Sequence, residues 1–181
     1  FRMAVLGDDN FTVIRLDSIK IPIHHLLGGL ESWIRDLGYK LKVQWSKGVP
    51  EKVEFLSSRF YRTSKGLLIG KKPGRLMTKV GYFLKKHVDF STYLEYLKGS
   101  LESLGPVANH VPFLRVYRWH VLKLLAKYQS RVDVWERQYK MQFGGREFDA
   151  DNETFVGFDA VYGLSLKDEQ NFAKYLMKID E

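Results

Sequence analysis

The chain has 181 residues, 45% of them hydrophobic, with 29 lysines and arginines against 21 aspartates and glutamates, and no cysteine. That size and apolar share suffice for one or two packed cores, and the missing cysteine excludes disulfide staples and thiolate zinc sites. No apolar run approaches the roughly 20 residues of a membrane-spanning helix, and a net charge of +8 favours polyanionic partners.

The first element is a hairpin over about Phe1 to Arg15. Apolar and β-branched residues flank Gly7-Asp8-Asp9-Asn10, a pattern of strand, tight turn, strand. Gly, Asp and Asn are also ordinary turn residues. Two adjacent carboxylates on a hairpin tip repel each other, and a hard divalent cation relieves that repulsion through carboxylate oxygen. Leu26, Leu27, Leu30, Trp33, Ile34 and Leu37 then form one helical stripe, with Gly38 placed as a left-handed C-cap. Gly28-Gly29 within this helix predicts close packing on a sheet. Tyr39 to Val43 alternates as a half-buried strand with lysines outward. Ser46 to Pro50 is a loop. Glu54–Thr63 and Gly66–Gly70 read as strands of a second hairpin around Ser64-Lys65-Gly66.

After Pro73-Gly74 the character changes to helix. Arg75–Lys86 is a mixed helical segment. Phe90–Leu104 is a helix with Ser91 as its candidate cap, broken by Gly105-Pro106. Phe113–Tyr128 is a second helix and Val132–Met141 a short third. Phe143 to Phe158 reads as loop. Ser165–Ile179 is the last helix, opened by a Ser165/Asp168 cap and an acidic first turn, with Phe172, Leu176 and Ile179 on its apolar face. Helical spacing places Trp33, Trp45, Trp119 and Trp135 mostly in the core, with one or two available to stack on a base. His24-His25 are adjacent rather than one helical turn apart, a poor metal pair.

Charge is uneven. Arg35 to Lys86 holds 14 basic and three acidic residues, a net +11, whereas Glu147 to Glu181 holds nine acidic and three basic, a net −6. A basic middle beside an acidic, solvated end fits a nucleic-acid channel with an outer element.

The hydrophobic–Gly7-Asp8-Asp9–hydrophobic run resembles motif C of viral RNA-dependent RNA polymerases. The helix ending at Gly38 and the basic strand after it resemble motif D. Val53-Glu54-Phe55-Leu56-Ser57-Ser58-Arg59-Phe60-Tyr61 resembles motif E, the primer-grip hairpin. These motifs span Phe1 to about Lys86, in the order of that family. The resemblance implies an α+β fold, with residues 1–74 the C-terminal part of a palm and 75–181 a mainly helical thumb. The chain opens on the motif C strand, so the expectation is a C-terminal fragment. Motif A, with the palm's other metal-binding aspartate, motif B and the fingers would belong to the remainder of the polymerase chain.

The resemblance also implies roles. Asp8 is the expected direct ligand of two Mg2+ (or Mn2+) ions about 4 Å apart, and Asp9 the more peripheral carboxylate. Lys47, after the motif D strand, is the expected general acid toward pyrophosphate, with Lys40 and Lys42 as competitors. Ser58 and Arg59 are expected on the primer backbone, a sequence-indifferent contact. Gly70-Lys71-Lys72-Pro73-Gly74-Arg75, with Lys79 one turn later, lacks Walker spacing. It is a basic turn suited to RNA phosphates or a triphosphate, similar to an element of tombus- and noda-like polymerases. The partners implied are RNA template and primer, nucleoside triphosphates and other replicase proteins, in membrane-associated replication complexes of the host cytoplasm. Two other readings stay open: a basic, non-catalytic RNA-binding domain in which Asp8-Asp9 is only a turn, and a reverse transcriptase-like fragment.

Overall fold

In a computed structural model of the chain, Arg2–Leu6 (β1) and Asp9–Val13 (β2) form an antiparallel hairpin whose register runs from Arg2↔Val13 to Leu6↔Asp9. The structure describes residues 2–6, 9–48, 50–82, 88–132 and 149–179. The fold is mixed α+β, as expected, with antiparallel strand pairs and a majority of helix. Packing divides it into two compact units, 1–56 and 57–181.

In the first unit, Asn10 lies inside β2, so the loop of this hairpin is shorter than the four-residue turn read from the sequence. A single 3-10 turn, Leu16–Ser18, leads to helix α1 (Ile23–Asp36). Its end is local chemistry. Gly38 takes φ +84°, its N–H donates to Arg35 O at 2.8 Å, and Tyr39 N–H donates to Ile34 O at 3.1 Å. These are the two bonds of a Schellman motif, which satisfies the last carbonyls and requires the left-handed residue that glycine supplies. The stripe on α1 is present but only partly covered: Leu26, Leu27 and Ile34 are half-buried, no α1 residue is fully buried, and Trp33 is 59% exposed. A Cβ on Gly28 or Gly29 would meet nothing within 4 Å, so the predicted close packing at these glycines is absent among the described residues. Tyr39–Val43 is also not a strand. Its alternation is real, but a strand exists only with a ladder partner. The unit closes with a 3-10 turn, Pro50–Lys52, and the two-residue strand β3 (Glu54–Phe55). The Phe55 ring lies 5.9 Å from Phe11 of β2, and Gln44 Oε1 accepts from Glu54 N–H at 3.1 Å.

Leu56 and Ser57 both have positive φ (52° and 56°), which interrupts the strand predicted over Glu54–Thr63. The second unit opens with β4 (Ser58–Thr63) paired antiparallel to β5 (Gly66–Lys71), from Ser58↔Lys71 to Thr63↔Gly66. The predicted hairpin around Ser64-Lys65-Gly66 is thus present. Helices follow: α2 (Pro73–Met77), α3 (Phe90–Ser103), α4 (Gly105–Ala108), α5 (Leu114–Leu124), α6 (Asn152–Tyr162) and α7 (Leu166–Ile179). Pro73 starts α2, where its missing N–H costs nothing. This helix is far shorter than the Arg75–Lys86 segment predicted, part of which lies outside the described residues. The predicted helix over Val132–Met141 also falls largely outside them. Asp89, not Ser91, caps α3, accepting from Thr92 N–H at 2.9 Å, because its carboxylate already sits one residue before the first helical turn.

The core of this unit gathers Tyr61 of β4 with Val111, Phe113, Leu114 and Phe158. Tyr61 is fully buried; its hydroxyl donates to His110 O at 2.8 Å and its ring meets Phe158 edge-on at 5.6 Å. Burial pushes its phenol pKa far up. A Cβ on Gly70, across from Arg59, would sit 2.6 Å from the Tyr61 ring. Helix α6 lies directly on β4: a Cβ on Gly157 would overlap Arg62 O, so only glycine permits this approach.

Helix α6 occupies part of the stretch read as loop. It is started by a capping box in which Asp151 accepts from Thr154 N–H at 2.8 Å and Thr154 Oγ1 lies 3.3 Å from Asp151 N. Ser64 of the β4–β5 turn also donates to Asp151. These bonds, that from Ser64 first, hold the Asp151 carboxyl down to about 2 from an ordinary 3.8. Because the folded value is the lower one, this contribution is complete above the unfolded pKa and is lost as pH falls from about 4 toward about 2. Asp89 and Asp168 are lowered by their own cap bonds and act in the same direction. The melting-temperature gap between the parent and Asp151→Ala is therefore expected to be constant near neutrality and to shrink below about pH 4. A gap that widened in acid would contradict the cap.

Candidate functional site

The β1–β2 register brackets the carboxylate pair. Leu6 and Asp9 face each other as the last paired residues, and only Gly7 and Asp8 stand between them. Both of these lie outside the described residues, and Asp9 opens β2. A two-residue connection holds its flanking strands in fixed register, so the backbone of Asp9 is anchored by the ladder. The donor set is two neighbouring carboxylates, the hard oxygen ligands that Mg2+ or Mn2+ takes. Among the described residues no group of three His, Asp or Glu is placed to hold a metal ion. Lys47 lies at a bend after a segment without regular secondary structure and is exposed, as are its competitors Lys40 and Lys42.

In the second unit the structure brings two separate sequence motifs together. Ser58, from the motif E-like run, pairs across the hairpin with Lys71 of the Lys-Pro-Gly-Arg element. Lys72 N–H donates to Ser57 O at 3.3 Å and is the residue before α2. Ser58, Arg59, Lys71, Lys72 and Arg75 therefore gather at the open end of β4–β5, with Lys79 in the turn after α2.

Their exposures differ, and strand alternation is the reason. Arg59 shares its face with Tyr61 and Thr63, the face that meets α6. Its guanidinium donates to Val161 O at 3.4 Å, near the C-terminal end of α6, where a cation is favoured by the free carbonyls. Ser58 is only 3% exposed. The cations turned to solvent are Lys71, Arg75 and Lys79, with Lys72 half-buried. Arg75 and Lys79 make no side-chain hydrogen bond or ion pair among the described residues. Arg75→Ala is accordingly expected to weaken single-stranded RNA binding across all sequences and to reduce the salt slope by about 0.7, with little change in stability. Arg75→Lys should recover part of the affinity, because a point charge serves a simple phosphate contact. Loss of folding without a binding defect would make Arg75 structural instead.

The acidic end is not merely a solvated face. Asp151 and Asp168 cap helices, and Glu169 is buried. Glu169 accepts from Phe113 N–H at 3.0 Å and, bidentately, from Arg115 Nε and Nη2 at 2.9 Å each. The tryptophans also depart from expectation: Trp33, Trp45 and Trp119 are each more than half exposed, because spacing alone does not say which stripe of a helix another element covers. Trp135 lies outside the described residues.

No helix of the described residues is long and apolar enough to cross a membrane. The chain matches no protein-family model, no curated protein and no solved structure.

Proposed function

We propose that this chain is palm and thumb of a plus-strand RNA virus RNA-dependent RNA polymerase, working as part of a longer replicase chain. The observation that carries the reading is the hairpin register, which leaves Gly7-Asp8 as the whole connection between β1 and β2 and makes Asp9 the first residue of the return strand. An amphipathic helix, a second hairpin and a helical region follow in the order the resemblance requires, whereas the lysine-bearing segment between helix and hairpin is not a strand.

In this reading Asp8 and Asp9 hold Mg2+ or Mn2+, with a further aspartate from motif A of the longer chain. The bound ions supply charge neutralisation for transfer of a nucleotide to a 3′ hydroxyl. The protein's own part is positioning. The β ladder fixes Asp9, Lys47 stands as proton donor toward pyrophosphate, and Lys71, Lys72, Arg75 and Lys79 hold phosphates. Arg59 acts by holding the β4–β5 hairpin to α6, and Ser58 by pairing with Lys71.

A polymerase containing this chain is expected to extend an RNA primer on an RNA template with Mg2+ or Mn2+, and to stop when EDTA removes the ion. RNA binding with no extension under either ion would favour the non-catalytic RNA-binding reading.

A further inference from the structure

A second basic segment lies in the helical region, on α5 and the turn after it. From Arg115 to Arg131 there are five arginines and lysines and no acidic residue. Not all of that charge is available. Arg115 is neutralised by Glu169, and Arg118 is spent on Leu101 O at 2.6 Å and Asn109 Oδ1 at 3.1 Å. Arg131 faces Glu95 at 3.7 Å. Lys123, on α5, and Lys127, in the turn after it, are exposed and make no hydrogen bond or ion pair among the described residues. Their ammonium groups lie instead against aromatic faces, Lys123 at 5.7 Å from the Trp119 ring and Lys127 at 5.2 Å from Tyr128.

Trp119 is the second half of the observation. It stands one turn before Lys123, about 6 Å along the helix axis, and is 56% exposed. It also borders a cleft of about 480 Å³ lined by α5 and α7 with Asn109 and Asp149, whose apolar wall is Val116, Ala173, Leu176 and Met177. That volume suits a small planar group. An exposed indole beside an apolar slot, followed by two exposed cations held only against aromatic faces, joins the two things single-stranded nucleic acid needs: a stacking surface and phosphate partners.

We propose that this face of α5 is a single-stranded RNA contact, in which a base stacks on Trp119 at the mouth of the cleft and the phosphates that follow lie on Lys123 and Lys127. It rests on the reading of the chain as an RNA-handling protein but uses none of the residues at the β4–β5 end. Stacking tolerates any base, so the contact is indifferent to sequence.

The test uses the 181-residue chain and a fluorescent oligouridylate of about 12 nucleotides, within the span of single-strand sites, with binding read by anisotropy across a salt series. Trp119→Ala is expected to weaken binding by about 5- to 100-fold, and Trp119→Phe to retain most of it. Lys123→Ala and Lys127→Ala should each lower the salt slope by about 0.7. An abasic oligomer of equal length should bind more weakly than oligouridylate and be indifferent to Trp119→Ala. Parental affinity in Trp119→Ala, or equal binding of the abasic oligomer, overturns the proposal. So does a Trp119→Ala variant that loses self-association while RNA binding stands, since the face would then be a contact between copies. If Trp119→Ala lowers stability, the Lys123→Ala/Lys127→Ala pair reads the same face, and an unchanged affinity and slope there overturn it. Arg75→Ala separates the two sites. A defect there with none at Trp119 removes this contact and leaves the proposed function standing, and the reverse result removes the β4–β5 phosphate site alone.

Discussion

Glu169→Ala is expected to destabilise the second unit by about 3–5 kcal/mol, a drop of roughly 6–20 °C in melting temperature for a chain of this size. The cause is the state of the groups left behind. Glu169 is 2% exposed and takes three hydrogen bonds, one from Phe113 N–H and two from the Arg115 guanidinium. Phe113 has φ +66° and sits just before α5, so its N–H points away from the helix ladder and depends on this carboxylate. The pair holds Arg115 above its ordinary pKa, chiefly through the Glu169 hydrogen bonds. Without Glu169, a guanidinium that is 30% exposed and an orphaned N–H remain. Glu169→Gln should cost less, because an amide oxygen still accepts from Phe113. Replacing both partners, Arg115→Met with Glu169→Leu, should recover much of the loss, since a well-packed apolar pair removes the desolvation cost of both charges. Thermal unfolding of the four chains checks this. A double variant as unstable as Glu169→Ala would show that the site depends on the charge pair itself.

Features fixed by neighbouring residues are legible in the sequence. Helix α1 shows as a stripe ended by Gly38, and α7 as a Ser165/Asp168 cap whose two bonds, Ser165 N–H to Asp168 at 2.8 Å and Asp168 N–H to Ser165 Oγ at 3.3 Å, are present. The β1–β2 and β4–β5 hairpins show as strand-forming runs around turn residues. What escapes the sequence depends on distant chain. Helix α6 is hidden because it carries a glycine in its middle and apolar residues on several sides, with Val156 exposed and Phe155 and Phe158 buried. Gly157 looks like a helix breaker until β4 is seen against it. Tyr39–Val43 has the period of a strand and no ladder partner among the described residues.

The candidate site divides along the same line. The Gly7-Asp8-Asp9 turn and the Lys71 to Lys79 element are contiguous and stand out in the sequence directly. The inward turn of Arg59 does not, because its acceptor, Val161 O, lies 102 residues away. Nor does the pairing of Ser58 with Lys71, which joins two motifs that are separate in sequence. The exposure of Trp119 follows from what does not cover α5, which no spacing rule states.

The role of Asp8 is tested most directly by templated nucleotide incorporation in a polymerase that contains this chain, comparing the parent with Asp8→Ala at saturating Mg2+. A divalent ion contributes several kcal/mol of transition-state charge stabilisation, and each step of about 1.4 kcal/mol is about tenfold in rate. Loss of its ligand is therefore expected to lower incorporation by about 10³-fold or more. Template–primer affinity should stay within about twofold, because phosphate contacts by arginine and lysine, not Asp8, set it. Incorporation abolished with RNA binding retained is the predicted result. Near-parental incorporation by Asp8→Ala would contradict the metal site and reduce Gly7-Asp8-Asp9 to an ordinary hairpin turn.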